Sequence, residues 1–92
     1  MIVNLQIKIS MRNGDKKLIE IEENNPKGYL IDKGTGEKKE VELTPKQVKL
    51  EYSKKIIENI EKKKPVFLMD KTGTITILNS YDISSFDISV IK

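Results

Sequence analysis

The chain has 92 residues, 37% of them hydrophobic and 34% charged, and a net charge of +3. That is room for one domain with one core, in a balance ordinary for a globular chain. It has no Cys and no His, which excludes disulfides, thiolate zinc sites, histidine-held metals and haem, and Ser-His or Cys-His nucleophiles.

Ala is also absent and Arg12 is the single arginine beside many lysines and isoleucines. Ala and most Arg codons are GC-rich, so the composition points to an AT-rich gene, of a low-GC bacterium or of a phage or plasmid within one. No stretch approaches the ~20 apolar residues that span a bilayer. The first residues, Met1 to Gln6, alternate where a signal peptide would run apolar. The cytoplasm is the expected compartment, with no membrane partner.

Val3, Leu5, Ile7 and Ile9 alternate with Asn4, Gln6, Lys8 and Ser10, the period of a half-buried antiparallel strand. Arg12-Asn13-Gly14-Asp15 supplies a turn in which Asn-Gly suits positive φ. Leu18 to Glu22 returns with Ile19 and Ile21 inward, completing a hairpin over 2–22. Glu23 to Gly28 is a polar break holding Pro26, which cannot donate to a ladder. A second hairpin over 29–43 follows, its return strand placing Val41 and Leu43 inward.

The helix is expected over 44–64. Thr44 is the N-cap, Pro45 takes the first helical position, and Gln47 closes a capping box. Leu43 and Val48 stand at the positions of a hydrophobic staple. Val48, Tyr52, Ile56 and Ile60 make an apolar face that Leu50 and Ile57 widen, while Glu51 with Lys55 and Glu58 with Lys62 pair on the other side. Pro65 stops the helix. A third hairpin and a final strand occupy 66–91: Val66 to Asp70, a turn, Thr74 to Leu78, a loop at Asn79 to Asp82, and then Phe86, Ile88 and Val90 alternating with Asp87, Ser89 and Ile91.

A signature recurs within this pattern. Tyr29-Leu30-Ile31-Asp32-Lys33 and Phe67-Leu68-Met69-Asp70-Lys71 each lead into a Thr-Gly turn. The returning strands share only their pattern, so two hairpins converging on one design is preferred to an internal duplication. The fold class expected is therefore α+β in a single domain, 1–92. About seven short strands form antiparallel hairpins that make one twisted sheet or a small open barrel, with one amphipathic helix on one face.

Chemistry is sparse. Gly34-Thr35-Gly36 and Thr72-Gly73-Thr74 lack the Walker spacing and a following helix, so turn duty is preferred to phosphate binding. Asp32 and Asp70 hold equivalent positions and would suit a hard cation if their hairpins packed side by side, but Asp at a strand end ordinarily caps its own turn. Asp82 and Asp87 look like loop and solvent-face residues, and Ser84-Ser85 has no base partner. No enzyme activity, metal or cofactor is expected.

The leading expectation is a non-catalytic, oligomeric binding module that docks on another protein, as an accessory or inhibitory protein of a phage or mobile element. Its interface would centre on the final strand edge, Phe86, Ile88 and Val90, with the aromatics Tyr81 and Tyr29. One alternative is a nucleic-acid binder with a lysine surface, Lys38, Lys39, Lys62, Lys63 and Lys64, and tyrosine stacking by Tyr29, Tyr52 or Tyr81. Interleaved glutamates such as Glu37, Glu40 and Glu61 break up such a field. A second alternative is an oligomer that sequesters a small anionic ligand.

Overall fold

The structure is a computed structural model that describes residues 1–91. The elements run β1 (Ile2–Met11), β2 (Lys16–Asn24), β3 (Lys27–Ile31), β4 (Lys38–Glu42), α1 (Pro45–Glu61), β5 (Val66–Met69), β6 (Ile75–Leu78) and β7 (Ile83–Ile91), with a 3-10 turn at Ser80–Asp82 before β7. This is the expected α+β fold of antiparallel strands and one helix. The strands do not merge into one sheet or a barrel; they form a three-stranded sheet in the order β2-β1-β7 and two separate hairpins, β3–β4 and β5–β6.

β1 is the centre of the fold. Leu5, Ile7 and Ile9 face Ile21, Ile19 and Lys17 on β2, and Val90, Ile88 and Phe86 on β7. The four alternating aliphatics of β1 are 0–1% exposed, because α1 lies across this face and adds Val48 and Ile56 to the core, with Tyr52 and Ile60 packed at its margin. The opposite face of β1 carries Asn4, Gln6, Lys8 and Ser10, the polar-out half of a sheet with one face in water. The β1–β2 turn closes as expected, with Gly14 at φ +93° and the Asn13 Oδ1 accepting from the Asp15 amide at 2.9 Å.

Two local features separate the hairpins from this sheet. β2 continues to Asn24, and the break shrinks to Asn25, at φ +48°, and Pro26. That bend sends β3–β4 away as an arm, rooted where the Leu43 amide donates to the Pro26 carbonyl at 2.9 Å. Residues 31–40 are exposed throughout. The Cα radius of gyration is 15.0 Å and the extents are 50 × 30 × 19 Å, whereas a compact chain of this length has a radius of ~12 Å. β5–β6 instead stays beside β2, tied by the Lys71 amide donating to the Glu20 carbonyl at 2.9 Å and by a Lys71–Glu20 ion pair at 2.6 Å. Its Val66, Leu68 and Leu78 complete the core.

The helix begins as its sequence dictates: Thr44 Oγ1 accepts from the Gln47 amide at 3.2 Å, and Gln47 Oε1 accepts from the Thr44 amide at 2.8 Å. Leu43 packs, partly buried, at the edge of the core, and Val48 is buried within it. Leu50 and Ile57 do not widen the buried face; both stand exposed, because the face that meets β1 is the narrower Val48, Tyr52, Ile56, Ile60 stripe. Glu58 and Lys62 pair at 2.6 Å, whereas the pair expected between Glu51 and Lys55 does not form.

α1 also ends before the expected stop at Pro65. The Lys63 amide donates to the Ile60 carbonyl at 3.1 Å and the Lys64 amide to the Asn59 carbonyl at 2.8 Å, with Lys63 at φ +57°. That is a Schellman cap carrying a lysine where glycine is usual. A non-glycine residue in the left-handed region costs ~1–2 kcal/mol, partly offset by the greater freedom of glycine in the unfolded chain. Lys63→Gly is therefore expected to raise the unfolding free energy by about 0.5–1 kcal/mol in urea denaturation.

Candidate functional site

β7 is an outermost strand, paired with β1 on one side and with no strand on the other. It runs nine residues, Ile83-Ser-Ser-Phe-Asp-Ile-Ser-Val-Ile91, without a Pro or Lys, the residues that ordinarily blunt a free edge. Its one irregularity is a register shift opposite Ser10 and Met11, at the start of the strand. The opposite edge of the sheet, β2, is flanked by the β5–β6 hairpin through Lys71. Among the described residues, β7 thus presents the longest unpaired edge that its own sheet has.

The structure divides the residues expected at this edge. Ile88, 7% exposed, is part of the core, and Phe86 packs half-buried against it. Both lie opposite inward residues of β1, so period two turns them toward α1 and away from a partner. Charges there would attack the core before any interface. Val90, 39% exposed, and Ile91 are the accessible apolar side chains of the strand, one on each face. Tyr81 stands exposed in the 3-10 turn that leads into β7, with its amide donating to Asn79 Oδ1 at 3.0 Å. Tyr29 is exposed too, but on the β3–β4 arm in another sheet.

The lysines expected to form one basic surface are spread over separate elements. Lys38 and Lys39 lie on β4, and Lys62, Lys63 and Lys64 follow the far end of α1. Lys62 is tied to Glu58, which raises the pKa of its amine and lowers that of the Glu58 carboxyl. Tyr52 is no stacking platform either: it is half-buried and its hydroxyl donates to Glu23. Burial first, then that hydrogen bond and the Glu23 charge, hold the phenol far above its ordinary pKa.

The two aspartates are not brought together as a cation site. Asp32 Oδ1 accepts from the Gly34 amide at 2.8 Å, and Asp70 Oδ1 accepts from the Thr72 and Thr74 amides at 2.9 and 3.0 Å. Each caps its own turn, with Gly36 and Gly73 supplying the positive φ. The Thr72 hydroxyl, followed by these amides, holds the Asp70 carboxyl below its usual range. No group of three or more acidic side chains gathers as metal ligands among the described residues. No described helix is long and apolar enough to cross a membrane.

Two features were not expected from the sequence. Glu23 continues the inward series of Ile19 and Ile21 and sits opposite Val3; reading the strand as ending at Glu22 hid this, although the odd-numbered alternation runs on. Tyr52 and Glu23 form one wall of a groove of about 410 Å³ whose other wall is Phe67, Met69 and Ile75. Those three residues and Ile77 make the outer face of β5–β6, wholly apolar and exposed.

No protein-family model matches the chain, and neither a curated protein nor a solved structure matches it.

The Tyr52–Glu23 contact ties α1 to β2 and sets a pH dependence. A phenol whose folded pKa lies above its unfolded value of ~10 stabilises the fold fully below that pH, and the contribution fades as pH rises beyond it. Tyr52→Phe is expected to lower stability by about 1 kcal/mol at neutral pH. Urea denaturation across the alkaline range should then show a steeper loss for the parent chain above about pH 10 than for the variant.

Proposed function

We propose that the protein is a non-catalytic binding module that docks on another protein by adding a strand of that partner to β7. The observation that carries this reading is the nine-residue outer edge of β7, unpaired and free of Pro and Lys. Strand addition draws affinity from main-chain hydrogen bonds and specificity from alternate side chains. Here Val90 and Ile91 offer an apolar contact on each face, and Tyr81 stands at the entrance to the strand as an amphipathic anchor. The absence of Cys and His and the separate capping duties of Asp32 and Asp70 support a binding role over turnover. The AT-rich coding bias supports an accessory protein of a phage or mobile element in a low-GC bacterium, acting in the cytoplasm.

Affinity capture from lysate of such a bacterium, with and without nuclease, tests the reading. A protein retained in stoichiometric amount after nuclease is expected, and Val90→Lys should weaken its retention by about tenfold or more while leaving the circular dichroism unchanged. Retention that vanishes with nuclease and falls steeply with salt contradicts it, since that is the behaviour of lysines neutralising phosphates. So does retention indifferent to Val90→Lys.

A further inference from the structure

The repeated signature has different fates in its two copies. In β5, Leu68 is 4% exposed and packs on the core; its counterpart in β3, Leu30, is 61% exposed. Tyr29 and Ile31 beside it are as open, so one arm strand carries three large apolar side chains with no surface to rest on. The arm holds itself by its own ladder, a Lys27–Glu40 ion pair at 3.1 Å, and close packing at its root, where a methyl on Gly28 would come within 3.0 Å of Leu43. A two-stranded hairpin alone is marginal in water.

The body has the converse defect. On the outer face of β5–β6, Phe67 lies opposite Ile77 and Met69 opposite Ile75, so its centre has no charge, whereas a solvated sheet face is ordinarily polar. The arm does not cover this face, whose four residues all stand exposed. We infer that a second copy of the chain covers both: in a two-fold dimer, the β3–β4 arm of each copy lies against the outer face of β5–β6 of the other.

Area selects a second copy as the occupant. Tyr29 and Ile31, which period two puts on one face of the arm with Leu30 on the other, and the four residues of the outer face are each exposed by half or more. Buried together, they come to the ~800 Å² per partner of a stable interface, and neither set alone reaches it. This face of the arm is balanced in charge, with Lys38 opposite Ile31 and Glu40 opposite Tyr29. Reciprocal exchange of arms uses both surfaces of both copies and closes on itself, so assembly stops at two.

The dimer does not use the free edge of β7, so its failure and that of the strand-addition reading are separately visible. Sedimentation equilibrium of the parent chain is expected to give a dimer at high micromolar concentration; a monomer there overturns the proposal outright and leaves the faces to a different protein. Ile31→Glu and Ile77→Lys, both at exposed positions, should each weaken association by about a hundredfold or more. An equimolar mixture of the two should regain a heterodimer, because one arm–face contact is then native and the other sets Glu against Lys. A dimer that survives Ile31→Glu but not Ile77→Lys means face-to-face pairing and overturns the arm exchange, as does a mixture that stays monomeric. Since the chain has no Cys, oxidising a mixture of Ile31→Cys and Ile77→Cys gives a check that needs no loss of association. Failure of a cross-linked pair to form also counts against the proposal.

Discussion

The rest of the structure depends on the burial of one face of β1 beneath α1. Val3, Leu5, Ile7 and Ile9 are out of water, and each large aliphatic side chain so buried contributes ~1.5–3 kcal/mol against the conformational entropy of folding. This strand can be covered completely only because it is central, with β2 and β7 supplying Ile19, Ile21 and Ile88 to its sides and α1 supplying Val48 and Ile56 above. The capping box at Thr44 and the cap at Lys63 fix the length of α1 that spans the face. A chain this short has little stability beyond such a core.

That economy explains the two appendages. β5–β6 gives Val66, Leu68 and Leu78 to the core and is held in place by doing so, with the Lys71–Glu20 contact as a second tether. β3–β4 gives only its root, through Leu43 and Gly28, and beyond it the arm has no tertiary support. β5 and β6 are apolar on both faces but for Thr76, and in the arm β3 is too, at Tyr29, Leu30 and Ile31, opposite a mostly charged β4. One face of β5–β6 is satisfied within the chain; neither face of the arm is. The unsatisfied surfaces are the places where this molecule is suited to meet another, and the unpaired backbone of β7 adds a third opportunity of a different kind.

The sequence revealed most where a pattern has one physical solution. Period two in β1 admits only a half-buried strand, and Thr44, Pro45 and Gln47 admit only a helix start. Asn13-Gly14 and the Asp-Lys-Thr-Gly turns were equally legible, as capping chemistry acts within a few residues. The open edge at β7 was legible as an unpaired final strand, but alternation alone did not tell that Phe86 and Ile88 face α1. What escaped depends on distant partners. Leu50 and Ile57 look like helix-face residues until the width of the sheet below is known. Phe-Leu-Met and Ile-Thr-Ile-Leu read as strands covered on both sides, and no local pattern says that one cover is absent. The separation of the β3–β4 ladder follows from a positive φ at Asn25 beside Pro26, a bend too local for hydrophobic periodicity to register.

The central claim is that a self-sufficient core carries an arm that becomes ordered only against another copy. Amide hydrogen exchange followed by mass spectrometry over a range of protein concentrations tests it most directly. The account predicts that β1 amides are strongly protected at every concentration, while those of β3 and β4 exchange fast in dilute solution and slow as concentration rises. Arm amides equally slow at all concentrations would mean that the hairpin is stable alone, and arm amides fast at all concentrations would mean that nothing in a second copy holds it; either result contradicts the account.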